Sequence, residues 1–283
     1  MKAPATTLVI GATGTTSRRV AAGLSAKGLR VKAAGRRATP VEGAQAVRFD
    51  WYEPATFGEA LDGVDRVYLV PPIGSSDPAE VMLPFLRRAR ATGVRRAVLL
   101  SSSAMPAGGP VVGQVHQALP GLFDEWAVLR PSWFMQNFTG SHHHGRTIRE
   151  DGVILTATGE GRVGFVDAED IAAVAVHALT DDRAPDTDLI LTGPEALSYE
   201  DVAGIITDVT GRPVVHRHLT FEQLRDRLAA GIPPEFATML AGMDRAIADG
   251  AEDRTSDAVE RITGRPPRSF RALVEAEMSR GGT

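Results

Sequence analysis

The chain has 283 residues, of which 43% are hydrophobic and 23% charged, as in an ordinary globular protein. This length is enough for one large domain, or for one domain with a smaller partner domain. The formal net charge of −4 gives no reason to expect nucleic acid or an anionic membrane surface as a partner.

Cysteine is absent from the sequence. Disulfide bonds, thiolate metal sites and a cysteine nucleophile are therefore excluded. The apolar run nearest the N-terminus, Leu8–Ile10, is too short for the core of a signal peptide, and no segment approaches the length of a membrane span. A cytoplasmic location is the expectation that follows.

A glycine-rich turn follows the first predicted strand. Leu8–Ile10 runs directly into Gly11 and Gly14, and apolar residues at helical spacing begin soon afterwards. Strand, glycine turn and helix in this order predict a dinucleotide-binding site, in which Gly11 turns the chain and Gly14 leaves room for a pyrophosphate. The helix N-terminus would face the phosphates with unpaired N–H groups. Hydroxyl groups at the mouth of the turn come from Thr13, Thr15 and Thr16.

The spacing of the turn departs from G-x-G-x-x-G, because it is G-x-x-G-x-x-S with Ser17 in the third place. Serine is small enough to let the helix pack closely on the strand, so we interpret the turn as a variant of the pattern. A glycine turn that joins any strand to any helix is the alternative interpretation.

Two arginines, Arg36 and Arg37, follow the second predicted strand, Val31–Ala34. NAD-binding units place an acidic residue in this region, where it holds the ribose 2′-hydroxyl. A guanidinium suits a 2′-phosphate instead, so NADP(H) is the expected cofactor. A solvated basic loop is the alternative. After the third predicted strand, Asp50 and Trp51 could line the adenine.

Further strand ends are expected at the same edge, since ligands of open parallel sheets bind at the carboxyl ends of strands. The Pro71-Pro72 turn is rigid and cannot continue a strand ladder. Contacts with the rest of the cofactor, including the inner ribose and the nicotinamide, are predicted for the residues that follow three strands: Val70, Pro71, Pro72, Ser101, Ser102 and Pro131.

Strand and helix alternate through the first part of the chain with the periods of βαβ units. The predicted fold is α/β, a Rossmann-type doubly wound parallel sheet over residues 1–140 and 167–195. From residue 141 the order changes to short strands and then mostly helices. Residues 141–166 and 196–283 are predicted to form a smaller, mostly helical substrate-binding domain, a lid over the binding edge of the sheet.

Three consecutive histidines, His142–His144, raise the question of a metal site. Consecutive side chains alternate between faces in a strand and fan out by about 100° each in a helix, so they would converge on one ion only in a distorted loop. No acidic or cysteine cluster accompanies them, and the sequence predicts no metal. His216 and His218 could share one face of a strand on the surface of the smaller domain.

The motifs together resemble the NmrA-like branch of the atypical short-chain dehydrogenases, and within it the reductases of the festuclavine dehydrogenase type. The motifs that carry the resemblance are Gly-Ala-Thr-Gly-Thr-Thr at residues 11–16, Leu-Arg-Pro-Ser-Trp-Phe-Met-Gln-Asn-Phe at 129–138, Gly-Arg-Val-Gly-Phe-Val at 161–166 and Thr-Gly-Arg-Pro-Pro at 263–267. The motif at 129–138 is the most specific. The resemblance spans nearly the whole chain and implies a Rossmann domain that binds NAD(P), with a small C-terminal substrate domain.

Aromatic and amide side chains follow the sixth predicted strand, where they could contact a small-molecule substrate. Ordinary helix packing is the alternative explanation for Trp133 and Phe138. The residues predicted to bind substrate are Trp133, Phe134, Asn137, Phe138 and Phe165.

Typical short-chain dehydrogenases protonate a carbonyl oxygen with a Tyr-x-x-x-Lys pair. This chain lacks the pair, because none of Tyr52, Tyr68 and Tyr199 is followed by a lysine four residues later. His116 falls where the family tyrosine would lie, and histidine titrates near neutrality, so His116 is the candidate catalytic proton donor. A histidine without a chemical role is the alternative.

The absence of a Tyr-x-x-x-Lys pair narrows the range of hydride acceptors that we expect. Hydride addition to a ketone makes an alkoxide that needs a proton donor, whereas addition to an iminium makes a neutral amine, and a quinone or enone spreads its new charge. The predicted activity is NAD(P)H-dependent reduction of such an acceptor, with catalysis by positioning. An NmrA-type redox sensor that binds NADP without turnover is the alternative. The sequence indicates neither the substrate nor the oligomeric state.

Overall fold

The computed structural model describes residues 5–281, except for the side chains of residues 280 and 281. The chain divides into two compact units that alternate along the sequence. The first unit consists of Met1–Pro131, Ala168–Leu191 and Ala258–Gly264. The second unit consists of Ser132–Asp167, Thr192–Asp257 and Arg265–Thr283. Residues 1–4 and 282–283, which the predicted domains include, lie outside the described residues.

The strands of the described chain are β1 (Thr6–Ile10), β2 (Arg30–Gly35), β3 (Gln45–Arg48), β4 (Arg66–Leu69), β5 (Arg96–Leu100), β6 (Glu125–Pro131), β7 (Val153–Thr156), β8 (Arg162–Val163), β9 (Thr187–Leu191), β10 (Leu197–Ser198) and β11 (Val215–His218). The helices are α1 (Ser17–Ala26), α2 (Phe57–Leu61), α3 (Ala79–Ala91), α4 (Gly113–Leu122), α5 (Gln136–Thr139), α6 (His143–Asp151), α7 (Ala168–Thr180), α8 (Tyr199–Thr210), α9 (Phe221–Ala229), α10 (Pro234–Ala248), α11 (Ala258–Thr263) and α12 (Phe270–Gly281).

Seven parallel strands form the central sheet of the first unit, in the spatial order β3-β2-β1-β4-β5-β6-β9. β1 is buried along its whole length, as expected for a parallel strand covered on both faces. Amphipathic helices such as α1, which buries Val20 and Leu24, supply the covering layers. The predicted doubly wound parallel sheet is confirmed.

The second unit combines short strand pairs with helices. β11 pairs with β7 in parallel, and β10 pairs with β8 in antiparallel orientation. Its core is rich in aromatic side chains, of which Phe165, Tyr199 and Phe270 are at most 1% exposed. Among residues 5–281, no helix is both long and apolar enough to cross a membrane.

The unit boundaries differ from the predicted domain boundaries. Residues 132–140, 167 and 192–195, predicted with the sheet, lie in the second unit, and Ala258–Gly264, predicted with the smaller domain, lies in the first. α11 belongs to the first unit because it packs on α7 and β9. Periodicity in the sequence locates a helix but not the elements on which it packs.

Candidate functional site

The strand order of the central sheet reverses at β1, whose neighbours are β2 and β4. Ligands of open α/β sheets bind outside the carboxyl ends of the strands at such a point. The Ala12 N–H donates to the Ala34 carbonyl at 3.1 Å, which joins the turn after β1 to the end of β2. A Cβ added to Gly11 would lie 3.8 Å from the Cβ of Val70, so the same turn also meets the segment after β4.

The glycine turn is tight. Gly11 has a φ of +67°, in the region that favours glycine, and its carbonyl accepts from the Gly14 N–H at 2.7 Å. The Ser17 hydroxyl donates to the buried Ile10 carbonyl at 2.8 Å. The serine in the third place of the pattern is small, and it also links α1 to β1 through this hydrogen bond. This role is additional to the predicted one.

The N-terminus of α1 begins at this turn. Thr16 at its N-cap forms no side-chain capping bond, and the first turn carries no acidic residue. Both features leave the positive end of the helix available to an anion. Thr13, Gly14 and Thr15 are exposed beside it, whereas Thr16 is only 4% exposed.

A cavity of about 100 Å³ lies where the turn meets the end of β2, and its lining includes Thr13, Gly35, Arg36, Arg37 and Thr39. Arg36 and Arg37 are exposed. Within residues 5–281, neither guanidinium forms an ion pair or a side-chain hydrogen bond. The structure thus brings both arginines and Thr13 around one cavity at the binding edge, with their donors available to a phosphate.

Trp51 is a core residue in the structure. Its side chain packs edge-on to Phe49 at 4.9 Å and to Phe85 at 5.2 Å, and the residue is 7% exposed. Its indole N–H donates to the Val70 carbonyl at 3.1 Å. The predicted contact with adenine is not supported, because packing in the aromatic cluster leaves the ring little free surface. Asp50 is half-buried beside it.

The remaining predicted cofactor contacts lie at their strand ends. Val70, Pro71, Pro72, Ser101 and Ser102 are half-buried, and Pro131 is buried.

Arg130 in β6 connects several of these strand ends. Its guanidinium donates to the Ser103 carbonyl at 2.8 Å and pairs with Asp188 of β9 at 2.7 Å. The Arg130 side chain is only 14% exposed. Arg130 is not among the residues predicted for the site, although a charged residue inside a mostly apolar strand is a signal that could have indicated it.

His116 lies in α4 and is 5% exposed. Its Nδ1 is buried without a hydrogen-bond partner in the described part of the chain. Burial lowers the pKa of His116, although the charge of Asp188 raises it and that of Arg130 lowers it further. His116 is therefore neutral near pH 7, which makes it a weak source of protons there. Its catalytic role stays a prediction.

The five predicted substrate residues all belong to the second unit. Phe138 and Phe165 are instead part of its core, 3% and 1% exposed, with ring centroids 5.2 Å apart. Their burial in an aromatic cluster leaves them little surface for a ligand. Trp133, Phe134 and Asn137 are half-buried and remain candidates for substrate contact.

The three consecutive histidines converge in the structure, through the irregular backbone that the sequence analysis named as the one way they could do so. One ring nitrogen from each of His142, His143 and His144 lies within 4.8 Å of the other two. The reason is a change of backbone inside the run: His142, the N-cap of α6, is extended with φ −60° and ψ 158°, whereas His143 and His144 are helical. Neither the strand rule nor the helix rule applies across that change.

Two family models match this chain. The model of the NmrA-like family matches residues 125–271, and a model described as NAD(P)H-binding matches residues 11–125. The second range contains the glycine turn and both arginines of the cavity described above.

Known proteins resemble the chain over almost its full length. An uncharacterized oxidoreductase of Bacillus subtilis, YesF, is 45% identical over 95% of this chain and 94% of that protein. Festuclavine synthase II of Penicillium roqueforti is 38% identical over 96% of this chain and 98% of that protein.

A solved structure confirms the fold. An NADPH-dependent quinone oxidoreductase of Escherichia coli, solved with NADPH, matches with a TM-score of 0.80 at 21% identity, over 96% of this chain and 99% of that one. The chain therefore belongs to the NmrA-like family and is an NAD(P)H-binding oxidoreductase.

Proposed function

We propose that the protein is an NADPH-dependent reductase of a small organic acceptor, namely an iminium, a quinone or an enone. The observation that carries the cofactor choice is the cavity at the end of β2, which Arg36 and Arg37 line together with Thr13. The structure of the similar quinone oxidoreductase of Escherichia coli was solved with NADPH, which agrees with this choice.

The residues of the first unit suit a dinucleotide phosphate. A Cβ on Gly14 would lie 3.1 Å from the Gly11 carbonyl oxygen, so the tight turn would have to shift slightly to accept a side chain there. The uncapped N-terminus of α1 offers donors to a pyrophosphate, and Arg36 and Arg37 offer charge-assisted donors to a 2′-phosphate. NADPH bound in this way would supply a hydride.

The proposed class of acceptor follows from how few side chains of this protein could protonate a reduced substrate. The chain has no Tyr-x-x-x-Lys pair, and burial keeps His116 neutral near pH 7 through its lowered pKa. Acceptors that need little help from an acid in the transition state are therefore favoured. Relatives named festuclavine synthase and agroclavine dehydrogenase support an acceptor of the alkaloid type, and the quinone oxidoreductase supports the quinone.

The cofactor choice is tested by titrating the protein with NADPH and with NADH. Charge-assisted hydrogen bonds contribute about 1.5–3 kcal/mol each, so one arginine gives NADPH an advantage of roughly 10- to 150-fold. Arg36→Ala should remove that advantage and leave NADH binding nearly unchanged. Arg87→Ala, at an exposed position of α3, is the matched control and should change neither. Equal wild-type affinities for NADPH and NADH at low salt would refute the NADP assignment.

The acceptor is tested by following NADPH oxidation with panels of iminium ions, quinones and enones. Sustained turnover with one class supports the reductase and names its substrate class. Tight NADPH binding without turnover on any panel would indicate the alternative, a redox sensor.

A further inference from the structure

The histidines at the start of α6 form a cluster that the proposed reductase activity does not use. One ring nitrogen of each of His142, His143 and His144 lies within 4.8 Å of the other two. Imidazole is a preferred ligand of zinc and of the neighbouring divalent transition metals. We propose that these three side chains form a binding site for one Zn²⁺ ion, with the fourth coordination position left to water.

The distances require only a small adjustment of the side chains. Zinc bonds of about 2.0–2.1 Å in tetrahedral geometry place ligand nitrogens about 3.3 Å apart. His144 is held in place because it is 7% exposed and stacks on Phe138, with ring centroids 5.4 Å apart and planes 9° from parallel. His142 and His143 are partly exposed and can rotate toward it. The contact of His142 Nδ1 with the His144 N–H, at 3.4 Å, is long and easily exchanged.

The protein leaves part of this cluster without partners. The Nδ1 atom of His144 is buried and has no hydrogen-bond partner among residues 5–281. Buried polar atoms without a partner are rare in folded proteins and often mark the place of an unseen water or ion. This observation is independent of the convergence of the nitrogens.

All three imidazoles are neutral at physiological pH, which is the form that binds metal. Burial is the largest cause: it lowers the pKa of His142, lowers that of His143 to about 4 and lowers that of His144 well below its usual value. Mutual repulsion among the histidines adds to the effect on His143 and His144, and the charges of Arg146 and Arg227 add to that on His143.

Two features oppose a cation at this position. Arg146 and Arg227 are positively charged, and the N-terminus of α6 carries the positive end of a helix dipole. Both act through space on an ion that the nitrogens bind directly. We therefore expect a moderate affinity and a strict dependence on the three side chains.

The test uses the full chain without a histidine tag, freed of metal by a chelator, and titrated with ZnCl₂ in a calorimeter. The wild type should bind one equivalent, and Zn²⁺ should raise its Tm. His143→Gln, at a partly exposed position, should bind at least 10-fold more weakly. His177→Gln is the matched control, since His177 lies in α7 of the first unit and its Nδ1 is 3.1 Å from the carboxylate of Asp181.

The outcomes are decisive in both directions. Absence of saturable binding by the wild type, or equal binding by the wild type and His143→Gln, would refute the site. If His143→Gln has the wild-type circular dichroism and binds NADPH normally, weaker zinc binding cannot be attributed to unfolding. Co²⁺ provides a second readout, because its visible absorption should be strong for tetrahedral nitrogen ligation in the wild type and weak in His143→Gln.

Discussion

In the first unit, the candidate site is formed mainly by the backbone at strand ends, with Gly11 at a φ of +67° and its carbonyl bonded to the Gly14 N–H. In the second unit, the histidine cluster is formed by side chains that a change of backbone at His142 brings together. Glycine turns repeat from protein to protein, and their pattern is visible in a sequence. Whether neighbouring side chains converge depends on the local backbone conformation, which the spacing of residues in a sequence does not predict.

Two buried residues, Arg96 in the first unit and His144 in the second, also differ in how the cost of burying a charge is avoided. In the first unit, the 3%-exposed side chain of Arg96 pairs with Glu125 at 2.6 Å and donates to the carbonyls of Ala178 and Asp181. In the second unit, burial leaves His144 neutral instead of pairing its charge. Stability should therefore depend on the ion pair at Arg96 and on pH at His144.

The largest expected effect is the loss of stability when the buried ion pair of Arg96 is broken. Arg96→Met should destabilise the protein by about 3–5 kcal/mol, because it leaves Glu125 and two carbonyls without their donor. Arg90→Met is the matched control, since the Arg90–Asp124 pair is exposed and should contribute less than about 1 kcal/mol. Urea unfolding of both variants measures the difference. Similar losses for the two would contradict the contrast between buried and exposed pairs.

A second prediction tests whether the glycine turn of the first unit is the pyrophosphate site. Gly14→Val should weaken NADPH binding by about 10²-fold or more, because a branched side chain would occupy the space of the pyrophosphate and its hydrogen bonds. Gly121→Val is the control, as a Cβ there meets no atom within 4 Å. Nicotinamide fluorescence reports the affinity. Unchanged binding by a folded Gly14→Val variant would show that the turn is not the pyrophosphate site.

A third prediction concerns pH and the second unit. Burial lowers the pKa of His143 and His216 to about 4 and that of His144 further below its usual value, whereas it raises the pKa of Asp244 to about 6. Between pH 6.5 and 4 the unfolded state binds more protons at the three histidines, and the native state binds more at the single aspartate. The free energy of unfolding should therefore decrease as the pH is lowered, by about 2 kcal/mol from pH 7 to pH 5 after allowance for partial exposure of these groups.

The measurement is urea unfolding in chelator-treated buffer over this pH range. His144→Phe, which keeps an aromatic ring against Phe138, should flatten the curve. A stability that rises as the pH falls would mean that the aspartate dominates, contrary to this prediction.

The sequence predicts most of the first unit, because all of its strands except β3 are largely apolar runs that end near a glycine, proline or serine turn. It does not predict the bond from Ser17 to Ile10, since size alone explains a serine in that place. Trp51 looks like a ligand contact at a strand end, but three-dimensional neighbours such as Phe85 bury it. Arg130 is overlooked because its partners Ser103 and Asp188 come from distant segments.

The position of β9 has a consequence for biosynthesis. β6 pairs with β5 on one side and with β9 on the other, and β9 emerges about 55 residues after β6 ends. At about 5–20 residues per second, the nascent chain presents a free edge of β6 for roughly 3–11 s. Unpaired edges attract other chains. The interleaving of the two units along the chain thus exposes the growing polypeptide to misassociation on the ribosome.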